Sequence, residues 1–309
     1  TLLPNTARFL VVAIDALPRG TPSELMHQAA RFISDRDPGT QYSHARRALS
    51  IARTSFIADA TREPAIIAGY PWFLDWGRDT FVAARGLIAA GLHQEVRAML
   101  LTYAALERGG TLPNYLAGAG EGSRETSDAP LWFALACEEL AEQLGPNLYL
   151  ERASDGRSLR EVLISIAEGL LRGADNGVQI DRESGLVFSP PHFTWMDTNY
   201  PAGTPREGYP VELAAMWLRL LRQLERGGVR ELSGEPTSAW IARVENALPL
   251  FWRAEHGFFS DTLHAPRGVP ARSAHADDHL RPNQLLLVSL GLVRRETDPD
   301  FVIIARTDA

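Results

Sequence analysis

From Tyr42 onward, apolar residues recur at three- and four-residue spacing and almost nowhere alternate. That period puts them on one side of a helix, so the chain can bury them only by packing helix against helix. Eight helices are predicted, over residues 43–58, 80–90, 94–108, 128–144, 158–171, 211–224, 238–252 and 283–292. Gly91 closes the second and Gly109-Gly110 the third, as glycine does after a helix. Ser158-Leu-Arg-Glu161 is a capping box that opens the fifth. A strand pair is predicted only at residues 177–188, where Val178-Gln-Ile180 and Leu186-Val-Phe188 flank a turn. No repeat of fixed period appears, so a solenoid has no support. Helix pairs with long loops at one end fit an (α/α) toroid, and a generic bundle fits the helix count equally well.

The first 41 residues read differently. Residues 9–14 are a short apolar run rich in branched side chains and are predicted as a strand. Thr21-Pro-Ser-Glu24 is a capping box with proline at the first helical position, opening a helix to about Ile33. Asp37-Pro-Gly39 ends it. Residues 1–41 are therefore set apart from a main domain over 42–309.

With 309 residues, 45% hydrophobic and 22% charged, the chain can build a large core. Its net charge of -7 argues against a nucleic-acid or anionic-membrane surface. Cys137 is the only cysteine, so the chain has no internal disulfide framework and no thiolate metal cluster. No apolar run is long enough to span a bilayer. Residues 9–14 lack the length and basic flank of a signal peptide. A cytoplasmic location is the expectation.

One stretch concentrates chemistry. Residues 68–81 hold five aromatic side chains, two aspartates and an arginine, running into the second predicted helix, where Asp79 is expected as N-cap. Burying such a loop is costly unless it binds something polar. Sugars meet that demand: their ring faces stack on tryptophan and their hydroxyls pair with carboxylates and guanidinium groups. An Arg78–Asp79 pair that only serves helix ends fits the residue types as well.

Gly69-Tyr-Pro-Trp-Phe-Leu-Asp-Trp-Gly-Arg-Asp-Thr80 resembles the signature of the amylo-α-1,6-glucosidases, the glucosidase half of glycogen debranching enzymes. Leu112-Pro-Asn114 with Ser127-Asp-Ala-Pro-Leu-Trp-Phe133, then Thr194-Trp-Met-Asp197, then Pro210-Val-Glu212 leading to Trp217, resemble the same family in the same order. Arg281-Pro-Asn-Gln284 is a weaker fifth match. The likeness covers roughly residues 45–292. It implies an all-α (α/α)6 toroid of the six-hairpin glycosidase type, preceded by the tail of an accessory segment. The eight predicted helices supply four of its six hairpins, so the toroid is expected to be incomplete at its C-terminal end.

Glycoside hydrolysis needs two carboxyl groups flanking the bond, one protonated and one ionised, ~6.5–9.5 Å apart in inverting enzymes. The resemblance implies Asp197 as general acid, and Trp195 and Met196 supply apolar neighbours. By the same likeness Arg78 and Asp79 anchor the terminal glucose, with Trp72 and Trp76 as stacking walls. Asp75, Asn114, Asp128, Trp195 and Arg206 are further expected sugar contacts. Trp132 reads equally well as core. Glu212 reads as a sugar contact or as the partner of an arginine such as Arg206. The base is a downstream glutamate in the family, expected beyond Ala309. No cofactor is called for. His275 and His279 have helical metal-ligand spacing but loop-like flanks and no accompanying glutamate, so no metal is expected. The implied activity is removal of single α-1,6-linked glucose from trimmed glucan branches, by inversion. A sugar-binding pseudo-enzyme and a glucoamylase- or trehalase-like hydrolase are the alternatives.

Overall fold

The computed structural model describes residues 21–36, 39, 57–59, 64–69, 73–117, 120–198 and 205–293. The chain divides into two compact units, residues 1–58 and 59–309. The first contains helix α1 (Pro22–Arg36). Its capping box is formed: the Thr21 amide donates to Glu24 Oε2 at 2.6 Å, and the Glu24 amide to Thr21 Oγ1 at 3.3 Å. The helix runs three residues past the expected Ile33. The strand predicted at 9–14 and residues 43–56 of the helix predicted at 43–58 lie outside the described residues, and the last two positions of that helix, Ile57 and Ala58, are instead in a strand, Ile57–Asp59.

The second unit contains α2 (Gly77–Ala89), α3 (His93–Ala104), α4 (Ala129–Leu144), α5 (Leu159–Arg172), α6 (Val211–Arg226), α7 (Thr237–Ala247) and α8 (Leu285–Ser289). Alternate helices pack side by side: α2 on α4, α4 on α6, α6 on α8. The intervening α3 and α5 pack on the members of this row that flank them, and α7 packs on α6. Burial follows from that arrangement. Helix α4 is buried at ten consecutive residues, 129–138, and α6 at eight, 211–218. A helix buried all round has neighbours on every side. Helix α5 instead buries one stripe, Leu159, Val162, Leu163, Ile166, Ala167 and Leu170. The two most enclosed helices are also cross-linked by polar groups. Glu138 of α4 accepts from Arg219 at 2.9 Å and from Arg226, both on α6. Gln223 donates to the Ala134 carbonyl at 3.2 Å.

The capping box at Ser158 is present, with its side chain accepting from the Glu161 amide and Glu161 reaching back to the Ser158 amide. Other expectations need correction. Helix α7 ends at Ala247, because Pro249 cannot donate to the ladder and the next turn tightens to 3-10 over Leu248–Phe251. The last predicted helix is a 3-10 turn, Pro282–Gln284, followed by the short α8, with Gly291 at φ 68° just beyond. The predicted hairpin forms as Gln179–Ile180 against Val187–Phe188, but it is not alone. Asp75–Trp76, Tyr115–Ala117 and Gly120–Glu121 make one three-stranded sheet, and His275–Ala276, Thr262–His264 and Gly208–Pro210 make another. Two further two-stranded pairs follow, Glu231–Leu232 with Glu235–Pro236 and Trp252–Arg253 with Phe258–Phe259. The segment of His275 and His279 is strand and loop rather than helix.

Glycine is required where α5 meets the turn after α3. A Cβ at Gly169 would stand 2.3 Å from the Gly109 carbonyl oxygen. No described helix is long and apolar enough to cross a membrane.

Candidate active site

The alternate helices begin at a common place. The first turns of α2, α4 and α6 and the turn leading into α8 surround a cleft of about 470 Å³, lined by Arg78, Asp79, Val82, Ala83, Trp132, Trp195, Glu212, Pro282, Asn283 and Leu286. Helical spacing explains the lining: Arg78 and Val82 are four apart on α2, as are Asp79 and Ala83. Helix N-termini carry partial positive charge and unpaired amides, so acidic groups are favourable there. Asp79, Asp128 and Glu212 occupy such positions.

Asp79 is not the N-cap predicted for it. Helix α2 starts three residues earlier than predicted, with Trp76 as N-cap. The Gly77 amide donates to the Asn114 carbonyl at 2.9 Å, which satisfies one free helix donor from outside. Asp79 thus stands in the first turn, facing the cleft. Among the described residues no other side chain pairs with its carboxylate. Burial pushes that carboxyl above the usual range, against the pull of Arg78, and the nearby Asp128 and Asp197 add to the rise.

Arg78 is the hub of one cluster. Its Nε donates to Asp128 Oδ2 at 2.7 Å and its Nη1 to Asp197 Oδ2 at 3.1 Å. Its Nη2 reaches Thr126 Oγ1 and the Phe193 carbonyl, each at 3.4 Å. The Asp128 side chain is fully buried and accepts a second bond from Thr126, whereas the Asp197 side chain is 41% exposed. Burial disfavours the Arg78 charge, but Asp128 and Asp197 outweigh it and hold the guanidinium more firmly protonated.

Arg206 is the hub of the second. Its side chain is fully buried and its backbone adopts φ 50°, an uncommon conformation for a side chain of this size. It donates to both oxygens of Glu212, at 2.5 and 2.7 Å, to Asp261 Oδ2 at 2.9 Å and to Thr194 Oγ1 at 2.8 Å. Burial pushes the Glu212 carboxyl up, opposed by Arg206. Asp261 also accepts from Asn283 at 2.7 Å and from Arg281 at 3.1 Å. Arg281 continues to Asp277 at 2.6 Å, whose carboxyl is held well below the usual range by hydrogen bonds from His279, Arg281 and His264, which together outweigh its partial burial.

The two clusters share one loop. Phe193 accepts from Arg78 and from the Ser127 amide, Thr194 accepts from Arg206, Trp195 donates to Asn283, and Asp197 accepts from Arg78. Residues 193–197 are therefore fastened from both sides, which fixes where Asp197 can reach.

Of the residues singled out in the sequence, Arg78, Asp79, Trp132, Trp195 and Glu212 line the cleft, with Asp128 and Asp197 bonded to Arg78. Arg206 lies behind Glu212. Trp132 is 8% exposed, with the Arg85 guanidinium 6.0 Å from its ring centre. Three more, Asp75, Trp76 and Asn114, are neither in the lining nor bonded to Arg78 or Glu212. The Asp75 carboxylate accepts from Thr80 and Tyr103, both at 2.8 Å. The Trp76 ring packs on Tyr115 at 5.1 Å. Asn114 is buried beside the start of α2, its side-chain oxygen without a hydrogen-bond partner among the described residues. Trp72 is outside the described residues. Sequence reasoning missed Asp261 and Asn283. The Arg281-Pro-Asn-Gln284 likeness pointed toward Asn283, but no local pattern marks Asp261. Among the described residues no group of three metal-binding side chains occurs.

A cleft with two tryptophans, one unpaired carboxylate and carboxylates held on buried guanidinium groups matches the chemistry of neutral, hydroxyl-rich ligands. The chain belongs to the amylo-alpha-1,6-glucosidase family, a glycosidase family whose sequence model matches residues 31–308. It is also similar to the glycogen debranching enzyme of Saccharomyces cerevisiae, 26% identical over 252 residues. That match takes in 61% of this chain and 16% of the yeast protein's length.

Proposed function

We propose that this cleft removes single α-1,6-linked glucose units from trimmed glucan branches, with inversion at the anomeric carbon, and that Asp197 is the general acid. The carrying observation is the Arg78–Asp197 contact of 3.1 Å at a cleft walled by Trp132 and Trp195. Asp197 gives its proton to the glycosidic oxygen as the bond to the anomeric carbon breaks. Water attacks that carbon from the opposite face and loses its proton to a second carboxylate, ~6.5–9.5 Å from the first. Glu212 is poorly suited to that task, because both its oxygens are taken by Arg206. Asp79, unpaired in the lining, and Arg78 hold the hydroxyls of the terminal glucose. The side-by-side packing of α2, α4, α6 and α8 supports an (α/α) toroid arrangement in the second unit, with this cleft at the end where those helices start.

A second reading is a glucan-binding protein without turnover, favoured by the commitment of Glu212 to Arg206. One experiment separates them. A maltooligosaccharide carrying one α-1,6-glucosyl unit is incubated with the protein and followed by proton NMR. Glucose released first as the β anomer supports the proposal. Release of the α anomer rules out inversion, and binding without release supports the second reading.

A further inference from the structure

Trp195 is half-exposed on the cleft wall, yet its ring is fixed by a chain of buried groups. Its indole N–H donates to Asn283 Oδ1 at 2.8 Å, and Asn283 Nδ2 donates to Asp261 Oδ1 at 2.7 Å. Asn283 is 6% exposed and Asp261 1% exposed. The indole can only donate and a carboxylate can only accept, so the amide orientation is determined by its partners. No other side chain of that size joins these two partners. Aspartate would set a carboxylate against Asp261, and leucine would leave the indole N–H and Asp261 Oδ1 without these bonds. Asp261 is itself held by Arg206 and Arg281. The ring of Trp195 is thus tied to the buried cluster that also grips Thr194, three residues before Asp197.

We infer that Asn283 is a positioning residue that holds Trp195 as a stacking platform for the sugar on the leaving side of the scissile bond. The inference rests on Asp197 as general acid. The group that protonates the leaving oxygen stands beside the leaving sugar, and Trp195 lies on the same short loop. A tryptophan face presented there at a fixed angle offers area to a glucosyl ring without an ordering cost on binding. The terminal glucose, held by Asp79 and Arg78, does not touch this platform.

Calorimetric binding tests the assignment without needing turnover. The ligands are glucose and the singly branched maltooligosaccharide, and the variants are Asn283→Ala, Trp195→Phe and the double variant. Asn283→Ala and Trp195→Phe, which keeps a ring but loses the N–H, should each weaken the oligosaccharide about tenfold, in line with the loss of one orienting hydrogen bond. The double variant should be no weaker than either single one, since both break the same link. Glucose affinity should stay within about twofold throughout, and circular dichroism should match the parent. Equal losses for glucose and oligosaccharide would make Asn283 a merely structural residue, and unchanged or additive losses would also overturn the inference. A parent protein that binds both ligands but releases no glucose would sink the hydrolytic reading while leaving the platform intact. A parent that binds neither sinks both.

Discussion

Replacing Arg206 by leucine removes the hub of the deeper cluster and exposes the energetics of the cleft floor. Arg206 is fully buried and bonds both Glu212 oxygens, Asp261 and Thr194. Asp261 would keep Asn283 and Arg281, but Glu212 would keep no side-chain partner. Nearly the whole cost is thus one carboxylate left buried and unpaired. Breaking a buried pair from one side costs about 3–5 kcal/mol, or roughly 6–20 °C in Tm at 2–4 °C per kcal/mol for a unit of this size. The loss should depend on pH with a definite sign. Burial already raises the Glu212 carboxyl, and Arg206 is the main group pulling it down. Without Arg206 the folded-state value rises further, and a raised value adds stability that is lost as pH climbs through it. The deficit of Arg206→Leu relative to the parent should therefore be smaller at pH 5 than at pH 7.5. Adding Glu212→Leu should recover most of the stability, since apolar replacement of a whole buried pair is often neutral. Thermal and denaturant unfolding at both pH values provide the assay. A deficit below about 1 kcal/mol, a deficit equal at both pH values, or no recovery in the double variant would refute the reasoning.

Asp79→Ala should weaken glucose binding at least tenfold with the helical content unchanged, because it deletes the unpaired carboxylate of the cleft; unaltered affinity by calorimetry would remove Asp79 from the anchoring role. Gly169→Ala places a methyl group 2.3 Å from the Gly109 carbonyl oxygen, and overpacking of that kind costs about 1–3 kcal/mol. A denaturant midpoint equal to the parent would show that the two segments can separate without loss.

What the sequence made legible was mostly local. The capping boxes at Thr21 and Ser158 have their signature within four residues, and both form. The 177–188 hairpin announced itself by a turn between two apolar runs. The possible partnership of Glu212 with Arg206 spans only six residues, and the structure realises it. The added β pairs were invisible, because strands of two or three residues are too short to carry a period of two. Asp79 looked like an N-cap because aspartate favours that position. The helix start was decided instead by the Asn114 carbonyl, 37 residues from the Gly77 amide it accepts. Asp75 looked like a ligand for sugar, yet Tyr103 and Thr80 take its oxygen from within the fold. Trp195 and Asn283 are 88 residues apart, and Asp261 reaches Arg206 across 55. Links of that length belong to topology, which a single sequence does not display.

The assignment of Asp197 as general acid is tested most directly by leaving groups that differ in their need for a proton. Asp197→Asn keeps the shape of the side chain but cannot protonate a glycosidic oxygen. Against the singly branched maltooligosaccharide its turnover should fall by ~10²–10⁴ relative to the parent. Against α-glucosyl fluoride, whose leaving group departs without protonation, the variant should stay within about tenfold of the parent. Near-normal turnover of the oligosaccharide, or an equal loss on both substrates, would contradict the assignment of Asp197 as the acid.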